Sequence, residues 1–174
     1  MDRARDELMF GIRRSVRYHL RRRAYFEFVD RLSSFFLILL GSSAMAGIAP
    51  YTWIGFLVAV VSSLKLIFVP GLRAGVHAQF VKDFTRLEQE LSRDDSEETF
   101  SRAKAMRLDL ESTEPPILRV LDAICHNELA RAQGITDPNE YVHLSTLQRL
   151  MAHLFSWREH TLKKGDPTGA RVWS

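Results

Sequence analysis

The chain has 174 residues, a formal net charge of +3, 46% hydrophobic and 26% charged residues, and a mean hydropathy of −0.12. A single cysteine, Cys125, excludes an intramolecular disulfide framework. The averages suit an ordinary soluble domain, but their distribution does not: Leu32 to Leu64 is 33 residues long without one charge, between densely charged flanks.

Residues 1–31 form the first element, a basic helix. Nine arginines fall here, and Arg13, Arg14, Arg17, Arg21, Arg22 and Arg23 alternate with Tyr18, Tyr25, Phe26 and Phe28. Ile12, Val16 and Leu20 supply a weak apolar stripe at helical spacing, so the segment reads as an amphipathic helix lying against anionic lipid. Arginine interleaved with aromatics also suits nucleic acid. The adjoining apolar block accounts for the basic run without it, and no nucleic-acid partner is expected. A secretory leader is set aside because the block begins after 31 residues and is far longer than a leader's apolar core.

Residues 32–70 make the second element. About 20 apolar residues cross a bilayer, so the block is too long for one crossing and fits two. Its centre, "GIAPYTW", has Gly47 and Pro50 as helix breakers and Tyr51 and Trp53 as headgroup-level rings. The sequence predicts helices over 32–49 and 53–69, a turn at 50–52, and closure by Pro70-Gly71. Basic residues on both outer flanks and none in the turn place both termini in the cytoplasm of a multi-pass inner-membrane protein. The alternative is a buried helical hairpin in a soluble bundle, which should carry a polar stripe where this block has only serine pairs. Ser42, Ser43, Ser62 and Ser63 either pack the helices, as small residues do in membranes, or line a water-filled path in an oligomer. Lys65 either snorkels to the headgroups or gates that path.

Residues 71–160 read as a cytoplasmic helical region. Val76, Phe80, Phe84, Leu87 and Leu91 are spaced by four, four, three and four residues, one helical stripe assigned to an oligomer or coiled contact. "SRDDSEE" is a turn with Ser96 as N-cap, leading into a weaker return helix through Phe100, Ala103 and Leu110. Pro115-Pro116 ends that helix. A third is predicted over 116–133 with Gly134 as its stop, and a fourth from Asp137-Pro138, with Tyr141, Leu144, Leu147, Leu150, Met151, Leu154 and Trp157 as its apolar face. Residues 161–174 lack periodicity and are expected to be a mobile tail.

Within the third helix, Cys125, His126, Asn127 and Glu128 invite a metal or catalytic reading. His126-x-Glu128 matches half of a zinc-deaminase signature, but the Pro-Cys-x-x-Cys half cannot be assembled from one cysteine. His126 is also the sequence neighbour of Cys125 and on a helix points about 100° away from it. The four are read as a structural polar motif. No phosphate-binding Gly-rich loop, HExxH or serine elbow is present. Neither an enzyme nor a cofactor is expected.

The basic first helix, the two-span hairpin, the amphipathic cytoplasmic hairpin, "ILRVLDAICHNELARAQG" and "LSTLQRLMAHLFSW" together resemble the SLATT domains over about residues 15–157. SLATT domains are bacterial two-transmembrane effector domains of nucleotide-second-messenger conflict systems. The resemblance implies a homo-oligomeric, pore-forming or ion-conducting effector in bacterial defence, with no catalytic residue. No nucleotide-sensing domain is fused here, so it also implies a separate nucleotide-signalling partner. A non-conducting membrane adaptor that recruits a soluble partner is the competing function.

Overall fold

The computed structural model describes residues 2–45, 51–154 and 162. The described residues are helical, with no extended sheet: α1 Asp2–Met45, α2 Tyr51–Phe68, α3 Pro70–Arg93, α4 Glu97–Thr113, α5 Arg119–Ala132, a 3-10 turn at Pro138–Glu140, and α6 Thr146–Met151. They divide into two compact units, Met1–Leu20 with Gln79–Ser174, and Arg21–Ala78. The division between the units falls within α1 and within α3.

In the first unit, Leu8 and Ile12 of α1 pack with Phe84, Leu87 and Leu91 of α3 and Ala103 of α4. Each fully buried side chain of this size stabilises by roughly 1.5–3 kcal/mol. Phe84, Leu87 and Leu91 are at most 1% exposed: of the two contacts expected for this stripe, oligomer or coiled, these three make one within the chain, against Leu8 and Ile12 of α1. Of that stripe, Phe80 is half-buried and Val76 exposed. The Arg107 guanidinium packs directly on Gly11, and a Cβ there would require that side chain to swing away.

The turn between α3 and α4 follows from its polar residues. Asp94 accepts from the Ser96 hydroxyl at 2.7 Å, the Ser96 amide at 3.0 Å and the Thr99 hydroxyl at 2.5 Å, and the Ser96 hydroxyl caps Thr99 N–H. These bonds hold the Asp94 carboxyl down at about 2, the Thr99 contact contributing most. Arg5 closes the other side by donating to the carbonyls of Leu91 and Asp94, which the end of α3 leaves without helical partners.

A second cluster joins Tyr18 to Val120, Leu121, Ala123 and Cys125 of α5 and to Val142 and Ala152. The Leu118 amide donates to the Tyr18 hydroxyl at 2.9 Å. Residues 115–118 are not helical, so α5 begins three residues later than the prolines suggest. Gly134 ends it with φ +71, while the Gly134 and Ile135 amides bond back to Arg131 and Ala130.

The fourth helix differs from its expectation. Asp137 and Pro138 start one 3-10 turn, Tyr141 turns extended, and α6 begins only at Thr146 behind a Ser145–Gln148 capping box. Leu147, Leu150 and Leu154 are exposed; Trp157 lies outside the described residues, as does the expected tail apart from Leu162. Its apolar spacing is compatible with a helix, but local capping bonds of Asp137 and Ser145 favour two short pieces.

In the second unit, α2 and α3 are separated by Val69 alone, with φ 40. Pro70 starts α3 rather than closing the hairpin, because its fixed φ suits a first helical position. Proline supplies no N–H for a helical bond, and the left-handed turn falls on a β-branched residue, a strained joint.

Candidate functional site at the charged end of the apolar helices

One helical segment, beginning at Tyr51, is long and apolar enough to cross a membrane: its best window has mean hydropathy 2.1 and is only 6% buried. A core helix of a soluble protein passes the same length test but hides its apolar face. Here Trp53, Phe56, Leu57, Leu64, Leu66, Ile67 and Phe68 are exposed, and only Ile54 is buried. Phe35, Phe36, Ile38 and Leu39 of α1 are likewise exposed.

Where the apolar stretch ends, Lys65 joins α2 to α1. Its ammonium donates to the Ser34 hydroxyl at 2.6 Å and lies 3.3 Å from the Asp30 carboxylate. The Ser33 and Ser34 hydroxyls both donate to the Asp30 carbonyl at 2.9 Å. Lys65 therefore faces an opposite charge, an arrangement that lowers the cost of holding a cation beside lipid. Of the serines expected to line a path, Ser43 donates to the Leu39 carbonyl at 2.8 Å; Ser42, Ser62 and Ser63 are exposed. The structure brings Lys65 to Ser34, not to these four.

Beside this bridge, Arg23 pairs with Glu27 at 2.7 Å and Arg31 approaches the same carboxylate at 3.8 Å. These side chains and Asp30 wall a cleft whose other side is Gly71, Ala74, Gly75 and Ala78 of α3. Phe26 stacks on His77 with centroids 5.6 Å apart, while the Arg22 and Arg73 guanidinium groups lie 4.6 and 5.9 Å from the Phe26 centroid. Arginine on an aromatic face keeps its charge while covering the ring.

The basic residues assigned to the lipid surface are thus divided. Arg13 pairs with Glu88 at 2.7 Å and Arg14 with Asp122 at 3.2 Å, both inside the first unit. Burial pushes the Asp122 carboxyl above its ordinary value, against the lowering pull of Arg14. Arg17 and Arg21 are half-buried, and Arg23 is exposed.

The polar motif of α5 sits elsewhere, in the first unit. Asn127 donates to the Val142 carbonyl at 2.7 Å and accepts from the Val142 amide at 2.8 Å. His126 Nε2 donates to the Glu140 carbonyl at 2.8 Å and its ring meets Phe10 edge-on. Cys125 is fully buried and Glu128 half-buried. His126 and Asn127 thus fasten the segment after α5 to that helix. Among the described residues, no three His, Cys, Asp or Glu side chains are placed to share a metal ion.

Sequence reasoning missed two pairs. Asp30 and Lys65 lie at similar sequence distances from the helix breakers Gly47 and Pro50, the signal that could have linked them. His19, fully buried, lies 2.5 Å from the Glu114 carboxylate and stacks with both Phe80 and Phe84, which also stack with each other. No short-range pattern links residues this far apart. No family model, characterised protein or solved structure matches the chain.

Proposed function

We propose that the chain is an oligomeric inner-membrane effector of the SLATT kind, acting in bacterial defence without catalysis. Its apolar helices cross the bilayer twice, both termini lie in the cytoplasm, and anionic lipid meets the arginines near the hairpin base. The observation that carries this reading is the exposed apolar surface of α2. Such a surface is stable in lipid and a liability in water. The Asp30–Lys65 bridge supports the hairpin: it sets two charges level at one end of both apolar stretches. Leu32 to Ala49 is 18 residues without a charge, and α2 is 18 residues with Lys65 as its one charge, roughly 27 Å at 1.5 Å per residue.

A two-span monomer cannot enclose a path, so conduction requires several copies. The exposed Ser42, Ser62 and Ser63 are the hydroxyls available to line it. A second reading, a non-conducting adaptor, is favoured by two bonds: Lys65 is neutralised by Asp30, and Ser43 is engaged with its own helix. Ion flux from liposomes separates the two. The effector should release an entrapped ion, and Ser62→Leu with Ser63→Leu should cut release at least tenfold without preventing assembly. Sealed liposomes around a stable wild-type oligomer would replace the effector with the adaptor.

A further inference from the structure

A cleft of about 640 Å³ opens in the first unit between the end of α5, the extended residues 141–145 and the start of α6. That volume is in the range of small-molecule sites, about 300–1,000 Å³. Its floor is fixed, because Asn127 clamps Val142 by two hydrogen bonds. The charge of its walls is one-sided: Arg131, Arg149 and His143 line it, and no carboxylate is among the described lining residues.

This contrasts with α1 in the same unit, where Arg3, Arg5, Arg13 and Arg14 each pair with an Asp or Glu. Neither Arg131 nor Arg149 meets a carboxylate among the described residues. Arg131 instead rests over the Tyr141 ring, 5.7 Å from its centroid, and that ring is anchored by a bond from its hydroxyl to the Ile135 carbonyl at 2.5 Å. Stacking of this kind orients the guanidinium plane while leaving its edge donors for another acceptor. Thr136 and Ser145 also line the cleft.

We propose that this cleft binds a small phosphate-bearing anion. Two guanidinium forks suit the several oxygens and the multiple charge of a phosphate better than a single carboxylate. The proposal does not depend on membrane conduction. Phosphate reaches such a site either as a free solute or as a lipid headgroup, and both share the chemistry.

The test is calorimetric titration of inorganic pyrophosphate into the full chain, held in nanodiscs of zwitterionic lipid and, separately, of phosphatidylglycerol. The expected result is saturable binding in zwitterionic discs, weakened roughly tenfold or more by Arg131→Ala or Arg149→Ala, since charge-assisted bonds are about twice as strong as neutral ones. Arg131→Lys should retain part of it, and Arg86→Ala, at an exposed position of α3 away from the cleft, all of it. A free-solute site gives the same affinity in both discs; a headgroup site shows competition in the anionic discs that the Arg149→Ala variant lacks. Both cleft positions are exposed, and circular dichroism checks that the variants stay folded. The proposal is overturned by absence of saturable binding, by indifference to both alanine variants, or by malonate binding as tightly as pyrophosphate.

Discussion

Two carboxylates in the first unit are displaced in opposite directions, and each displacement carries a sign. Asp94 sits at about 2, below its ordinary value of 3.8, because Thr99 and Ser96 donate to its charged form. It adds stability that is fully present above pH 3.8 and is lost as pH falls through 2. Asp122 is raised because burial penalises its charge more than Arg14 relieves it. Its contribution is greatest when protonated and declines as pH rises from the ordinary carboxylate value through the raised one. Comparison of wild type with Asp94→Asn and Asp122→Asn by thermal unfolding across acid pH isolates each group. The margin over Asp94→Asn should widen with rising pH, and the margin over Asp122→Asn should shrink. Parallel slopes for the two variants would contradict this assignment.

At the level of elements, the stripe on α3 is divided between core and surface. Leu87 is 1% exposed, and Val76 is 40% exposed. Leu87→Ala should therefore destabilise the first unit by about 2–5 kcal/mol, the usual cost of a core leucine, whereas Val76→Ala should stay within about 0.5 kcal/mol. Chemical denaturation measures both, and equal effects would mean that the stripe is solvated. The same helix shows what periodicity makes legible. Its spacing marks one apolar face, but the spacing is identical whether a second copy or α1 covers that face. The Ser96 cap and the Gly134 stop were readable because they depend on residues a few positions away. The split of the predicted fourth helix was not, since Leu147 and Leu150 keep helical spacing while Asp137 and Ser145 cap two separate pieces. At the candidate site, Lys65 was recognisable as an unusual charge beside an apolar run. Its partners Asp30 and Ser34 needed the antiparallel register.

For the whole molecule, the number of crossings decides where the two ends lie. A single crossing by α2 would leave the exposed Phe35, Phe36, Ile38 and Leu39 of α1 outside the bilayer. Those side chains occupy the same uncharged block, and the Asp30–Lys65 pair sets its two edges side by side. If Lys65 lies at a headgroup boundary, Asp30 lies there too, and the apolar residues after it enter the same slab. The proposed two crossings rest on this register, and the 18 residues of α2 come within a few ångströms of the roughly 30 Å hydrocarbon thickness, a mismatch that local thinning accommodates. The full-length protein should resist extraction by carbonate and yield to detergent. Reporters at the N- and C-termini should both read cytoplasm, and one inserted after Pro50 should read the far side. Termini on opposite faces would show a single crossing, and α1 would then need a protein partner over its exposed phenylalanines. Carbonate release would place both apolar helices against protein, and with it the effector and the membrane adaptor would fall together.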